Sequence, residues 1–113
     1  MSSTERGKRA EQAAGEYLQT LGYKVLEYNW RTRYCEIDVV AQNNESIVFV
    51  EVKYRQSSRQ GHGLEYITPQ KLKQMARAAD MWVSYHYWPG EYCLGAIEVS
   101  GDEYSVDAFI DQL

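Results

Sequence analysis

The sequence predicts an α/β domain: a mixed β-sheet of about five strands flanked by two main helices, in the order α-β-β-β-α-β-β. Three observations lead there. Apolar residues recur at helical spacing in two separate segments, one near the start of the chain and one after Pro69. Between them, and again at the end, lie short runs of alternating or β-branched residues. Gly, Asn and Ser punctuate the junctions. With 113 residues, 44% hydrophobic and 25% charged, the chain reads as one folded domain over residues 1–113.

Ser2-Ser3-Thr4-Glu5 has capping-box spacing, and Ala10, Ala14, Tyr17, Leu18 and Leu21 then recur at helical intervals, which predicts a first helix over roughly residues 4–21 with Gly22 as its left-handed cap. Tyr23 to Trp30 is rich in aromatic and β-branched residues and reads as a first strand, although its alternation is imperfect. In the second strand, Cys35 to Ala41, Cys35, Ile37, Val39 and Ala41 are expected on one face and Glu36, Asp38 and Val40 on the other. Ile47 to Tyr54 follows as the hairpin partner, with Val48, Val50, Val52 and Tyr54 sharing a face. Residues 55–66 lack periodicity and read as a polar, mobile surface loop. Thr68-Pro69 starts a second helix to about Tyr85, with Leu72, Ala76, Ala79 and Val83 on one side. Tyr92–Val99 and Tyr104–Ile110 form a closing hairpin around Ser100-Gly101-Asp102.

Composition narrows the function. No stretch approaches the roughly 18 apolar residues that span a bilayer, and MSSTERGKRAEQ lacks an apolar leader core, so the expectation is a cytoplasmic protein without membrane contact. Cys35 and Cys93 are expected as reduced thiols. Neither they nor His62 and His86 stand at a zinc-binding spacing, so any metal must prefer oxygen ligands. The net charge of −4 is unusual for a nucleic-acid enzyme. All 12 basic residues, however, lie at or before Arg77, and that part carries +3 against −7 for residues 78–113.

The chemistry concentrates in Glu36-Ile-Asp38 and Phe49-Val-Glu51-Val-Lys53. Glu51 and Lys53 leave the same side of their strand. If the loop comprises Asn43 to Ser46, Gln42 pairs with Ile47 and Asp38 stands opposite Glu51; a two-residue loop is expected to make them diagonal neighbours. Carboxylates so placed repel unless a cation or a raised pKa compensates. Magnesium suits Asp38, Glu51, the Val52 carbonyl and a phosphate oxygen, with manganese as an alternative, and Lys53 then stabilises developing charge in phosphodiester hydrolysis. The competing reading is an exposed strand face of alternating charge.

At Gly7-Lys-Arg-Ala-Glu11-Gln-Ala-Ala14, Tyr17-Leu18, Gly22-Tyr23, Asn29-Trp-Arg31, Glu36-Ile-Asp38, Phe49-Val-Glu-Val-Lys53, Arg55 and Lys71 the chain resembles the YraN-like family of bacterial proteins, over nearly its whole length. That family resembles Holliday junction resolvases within the PD-(D/E)xK nuclease superfamily. The resemblance implies a restriction-endonuclease-like core with Asp38, Glu51 and Lys53 at the metal and catalytic positions and Glu11 at an additional acidic position. The chain departs from the family pattern at Cys35, where glycine is usual, and at Leu94-Gly95-Ala96, in place of an Arg-Phe-Asp-like stretch; Ile37 stands where the superfamily's proline is.

The expected function is a metal-dependent endonuclease of structured or branched DNA. Its catalytic group is Lys53, Asp38, Glu51 and Glu11, with Asp38, Glu51 and Glu11 as metal ligands. Lys71, Arg55, Arg31 and Lys73 are candidates for phosphate contacts, while Arg33 and Arg59 are weaker ones. Trp30, Tyr34, Tyr54 and Tyr66 are candidates for base stacking or, more simply, packing, and His62 and His86 are read without a catalytic task. Two strands cut in one junction call for a homodimer. The alternatives are a nucleic-acid-binding or scaffold module that keeps the fold without turnover, and a protein-interaction domain.

Overall fold

A computed structural model of the chain describes residues 3–57 and 66–113. The elements are α1 (Ser3–Thr20), β1 (Lys24–Arg31), β2 (Glu36–Asn43), β3 (Ser46–Arg55), α2 (Pro69–His86), β4 (Glu91–Ser100) and β5 (Ser105–Ile110), each within two residues of its expected bounds. The strands form one sheet in the order β1-β2-β3-β4-β5. All neighbouring pairs are antiparallel except β3 and β4, which run parallel because α2 carries the chain back between them. This is an α/β fold with a mixed sheet. Most of the expected 55–66 loop, with Arg59 and His62, lies outside the described residues.

Local chemistry explains where the helices stop and start. Gly22, at φ 95°, ends α1 in a Schellman motif, its N–H donating to the Gln19 carbonyl and that of Tyr23 to the Leu18 carbonyl, both at 3.0 Å. Thr68 caps α2, its Oγ1 accepting from the Lys71 N–H at 3.1 Å, with Pro69 next in line.

The two helices cover opposite faces of the sheet. Ala10, Ala14 and Leu18 of α1 pack on Val39, Ala41, Val48, Val50, Ile97 and Val99. Leu21 does not join them; it sits beyond the last helical turn and is 47% exposed. On the other face Ala78, Ala79 and Trp82 of α2 pack on Val40, Ile47 and Phe49, and Met75 is buried with them on α2. The buried stripe is therefore turned from the expected one: Val83 sits at its margin and Ala76 is exposed. Met75 and Trp82 carry more apolar surface than Ala76, and burying them decides the rotation of the helix. Glu27 ties α2 to β1, its Oε1 accepting from Trp82 Nε1 at 3.0 Å and lying 3.1 Å from His86 Nε2.

One irregularity shapes everything that follows. Val39 packs on the α1 side but Ile37 packs on the α2 side, so the expected Cys35/Ile37/Val39/Ala41 face does not exist; the strand turns over at Asp38. In β1 the same reversal separates Tyr28, against Gly15 of α1, from Trp30, against Tyr85 and His86 of α2. Tyr28 pairs with Val39 and Trp30 with Ile37, so Asn29 lies across from Asp38. Asn29 has φ 50°, a left-handed conformation that asparagine tolerates better than most residues. Asn29→Val is expected to cost about 1–3 kcal/mol, and Asn29→Gly much less. Urea unfolding distinguishes the two, and equal stability of both variants would show that the twist does not depend on this backbone conformation.

Candidate active site

The twist opens the sheet. β2 and β3 pair from Asn43/Ser46 to Val39/Val50, across a two-residue turn, Asn44-Glu45. Gln42 pairs with Ile47 as expected, and the short turn adds the Asn43/Ser46 pair without changing the register, so it does not make Asp38 and Glu51 diagonal. Beyond Val39, β2 continues against β1 to Arg31/Glu36, whereas β3 continues against β4 to Arg55/Ser100. At the parting point Asp38 Oδ2 accepts from the Val52 N–H at 2.7 Å. A side-chain carboxylate thus stands where a main-chain carbonyl would continue the ladder.

Around this point the structure gathers Glu11 from α1, Asp38 from β2, and Glu51 from β3. Glu11 hydrogen-bonds Asp38. Glu51 Oε2 is held by Lys71 Nζ at 2.9 Å. Burial raises Asp38 most, the Glu51 charge adds to it, and the Val52 N–H only partly opposes them, so that the carboxyl is pushed up from 3.8 to about 8. Burial also raises Glu11, against the hydrogen bond from Asp38. Of the two, Asp38 is raised further, so the surroundings favour its protonated form. Burial works to lower the Lys71 ammonium, but Glu51 carries it above its ordinary range.

Two clefts flank the acids. One, of ≈ 410 Å³, is lined by Lys8, Glu11, Asn29, Arg31, Glu36 and Asp38 among others; the second, of ≈ 300 Å³, by Tyr34, Glu36, Glu51, Lys71 and Arg77 among others. Arg31 belongs to the first, 3.5 Å from Glu36 and donating to Asn29 Oδ1 at 3.1 Å. Lys71 belongs to the second. Lys73, two positions along α2 and so roughly 200° around the helix, is exposed and lines neither cleft. Lys53 is exposed, with Nζ 5.8 Å from the Tyr66 ring centroid. Arg55, at the end of β3, is half-buried, and its charge acts on the Tyr66 phenol. Sequence reasoning did not single out Lys8, Arg77 or Glu98; only the fold brings Glu98, the β4 register partner of Lys53, beside that lysine.

The donor set is oxygen only, as a hard divalent cation prefers. Among the described residues, no three His, Cys, Asp or Glu side chains are arranged as a ready ion cage. Magnesium needs only one or two carboxylates, and Asp38 and Glu51 are the residues that would hold it. A metal would take over the roles now played by the Asp38 proton and the Lys71 ammonium.

The raised Asp38 carboxyl makes metal-free stability depend on pH. The folded chain holds a proton between 3.8 and about 8 that the unfolded chain releases, so this contribution is complete below 3.8 and is lost as pH rises through about 8. Asp38→Asn keeps an oxygen for the Val52 N–H and removes the titration. Urea unfolding at pH 5, 7 and 9 should show the variant gaining on wild type by on the order of a few kcal/mol as pH rises; a constant difference would contradict the burial of this charge.

Among the described residues no helix is long and apolar enough to cross a membrane. Residues 10–107 match the family described as Uncharacterised protein family UPF0102. A UPF0102 protein of Mycolicibacterium vanbaalenii is 41% identical over 98 residues, 87% of this chain and 79% of its own length. One from Cytophaga hutchinsonii is 33% identical over 106 residues, 94% of each chain, and one from Syntrophomonas wolfei 44% identical over 79 residues, 70% and 69% of the two chains. The matched span includes Glu11, Asp38, Glu51, Lys53 and Lys71, and the chain belongs to the UPF0102, or YraN-like, family.

Proposed function

We propose that this chain is a metal-dependent endonuclease of the PD-(D/E)xK type, hydrolysing phosphodiester bonds in structured or branched DNA. The observation that carries the reading is the Asp38 carboxyl, buried between Glu51 and Glu11 and pushed up to about 8. A strongly shifted acid lying beside two others and two clefts is characteristic of a working site. Acids that serve only to solubilise a surface stay fully in water, whereas these are half-buried.

Asp38 and Glu51 would hold magnesium, or manganese, with Glu11 in support. The bound ion supplies a more acidic water and neutralises negative charge on the phosphate. Lys53, on the same strand face as Glu51, stabilises the charge that grows on the phosphoryl oxygens. Asp38, pinned by the Val52 N–H, fixes where that charge must develop. Val52 directs its carbonyl to the same side as its N–H, toward the acids, which suits the role expected of it. Lys71 and Arg31, one in each cleft, suit the flanking phosphates. Cutting both strands of a junction requires two sites and hence a two-fold dimer.

The Lys71–Glu51 ion pair and the net charge of −4 favour a second reading, a nucleic-acid-binding or scaffold module in which the acid site is closed by its own lysine. Cleavage of a labelled four-way DNA junction in magnesium separates the two. On the nuclease reading, Asp38→Asn and Lys53→Ala each lower the rate by at least about a hundredfold while remaining folded. Binding of the junction that neither variant alters, without cleavage by wild type, would favour the module.

A further inference from the structure

Two polar side chains close to Lys53 have no part in the acid site. Glu98 on β4 is only 8% exposed, and its Oε1 has no hydrogen-bond partner among the described residues. The buried Tyr66 hydroxyl has none either. Buried polar atoms without partners are few in folded proteins, and two beside one another call for a cause. Both adjoin Lys53. In the parallel β3/β4 pairing Lys53 is the partner of Glu98, so the two side chains leave the same face of the sheet side by side. Lys53 Nζ lies 5.8 Å from the centre of the Tyr66 ring, within reach of its negative face. The Tyr66 phenol is raised by burial first and then by the charges of Glu98 and Glu51, which Arg55 partly opposes.

We infer that Tyr66 and Glu98 are positioning residues for Lys53: the ring carries the ammonium on its face, and the buried Glu98 side chain on β4 holds it over the β3/β4 side of the sheet, on the face that also carries Glu51. Lys53 is exposed, and a free four-carbon stem would spread its charge over many rotamers. A ring on one side and a fixed negative charge on the neighbouring strand narrow that spread. The Tyr66 hydroxyl is not needed for this task, and only the ring is.

The inference rests on the nuclease reading for the part played in turnover but not for the placement of Lys53, so its test has two arms. Tyr66→Phe keeps the ring, Tyr66→Leu removes it, and Glu98→Gln keeps the shape without the charge. In proton NMR of the metal-free chain, the Lys53 Hε resonance should be shifted upfield by the ring in wild type and in Tyr66→Phe. It should return to the free-lysine position in Tyr66→Leu and move partway in Glu98→Gln. An unshifted Hε in wild type, or the same shift in all four proteins, overturns the inference. In cleavage of the four-way junction, kcat should fall roughly two- to thirtyfold in Tyr66→Leu and Glu98→Gln with KM unchanged, and stay near wild type in Tyr66→Phe. Unchanged kcat in Tyr66→Leu also overturns it. Absence of cleavage by wild type would instead overturn the nuclease reading, and the NMR arm would still decide where Lys53 is held.

Discussion

The hydrogen bond from the Val52 N–H to the Asp38 carboxylate is the contact on which the site depends. A sheet that stayed paired along its whole length would satisfy Val52 from the backbone of β2 and leave Asp38 to point wherever the pleat sent it. Here β1 and β2 turn away together, and the carboxylate completes the ladder in place of a carbonyl. Replacing one backbone rung with a side chain fixes an acidic group between two strands that diverge. That is why Asp38 is largely buried yet lines one cleft, with Glu11, while Glu51 lines the other.

The charge balance follows from that geometry. Three half-buried carboxyls from three elements act on one another's charge, and the chain relieves the repulsion in two ways. Asp38 keeps a proton, and Glu51 takes Lys71 as its partner. Both remedies are reversible, since a proton leaves and a lysine swings away more readily than a backbone rearranges. A divalent cation would displace both. The overall negative charge, which at first argues against a nucleic-acid substrate, is therefore misleading as a sum. Several of the acids counted in it face one another, and the basic residues lie in the part of the chain that builds the clefts.

The sequence reveals the elements because their periods are clean: Ala10, Ala14 and Leu18 mark α1, and Val48, Val50 and Val52 mark the α1 side of β3. The pairing of Glu51 with Lys53 on one strand face is equally readable, since it follows from a period of two. What alternation cannot reveal is its own interruption. The only local hint of the turnover at Asp38 is Asn29, a poor strand residue in a segment otherwise rich in strand formers, and its meaning emerges only when the register sets it across from Asp38. Lys71 and Lys73 look alike in sequence, and the helix screw separates them. Glu98 stayed hidden for another reason. A parallel crossover brings it to Lys53, and no local pattern encodes the register of strands joined through a helix.

The most direct test is calorimetric titration of manganese into the wild-type chain and Asp38→Asn at pH 7, repeated in buffers of different ionisation enthalpy. If the buried Asp38 carboxyl is the heart of a metal site, binding to wild type releases close to one proton, and Asp38→Asn neither binds comparably nor releases it. Binding of equal strength by both proteins, or binding by wild type with no proton released, would contradict the account.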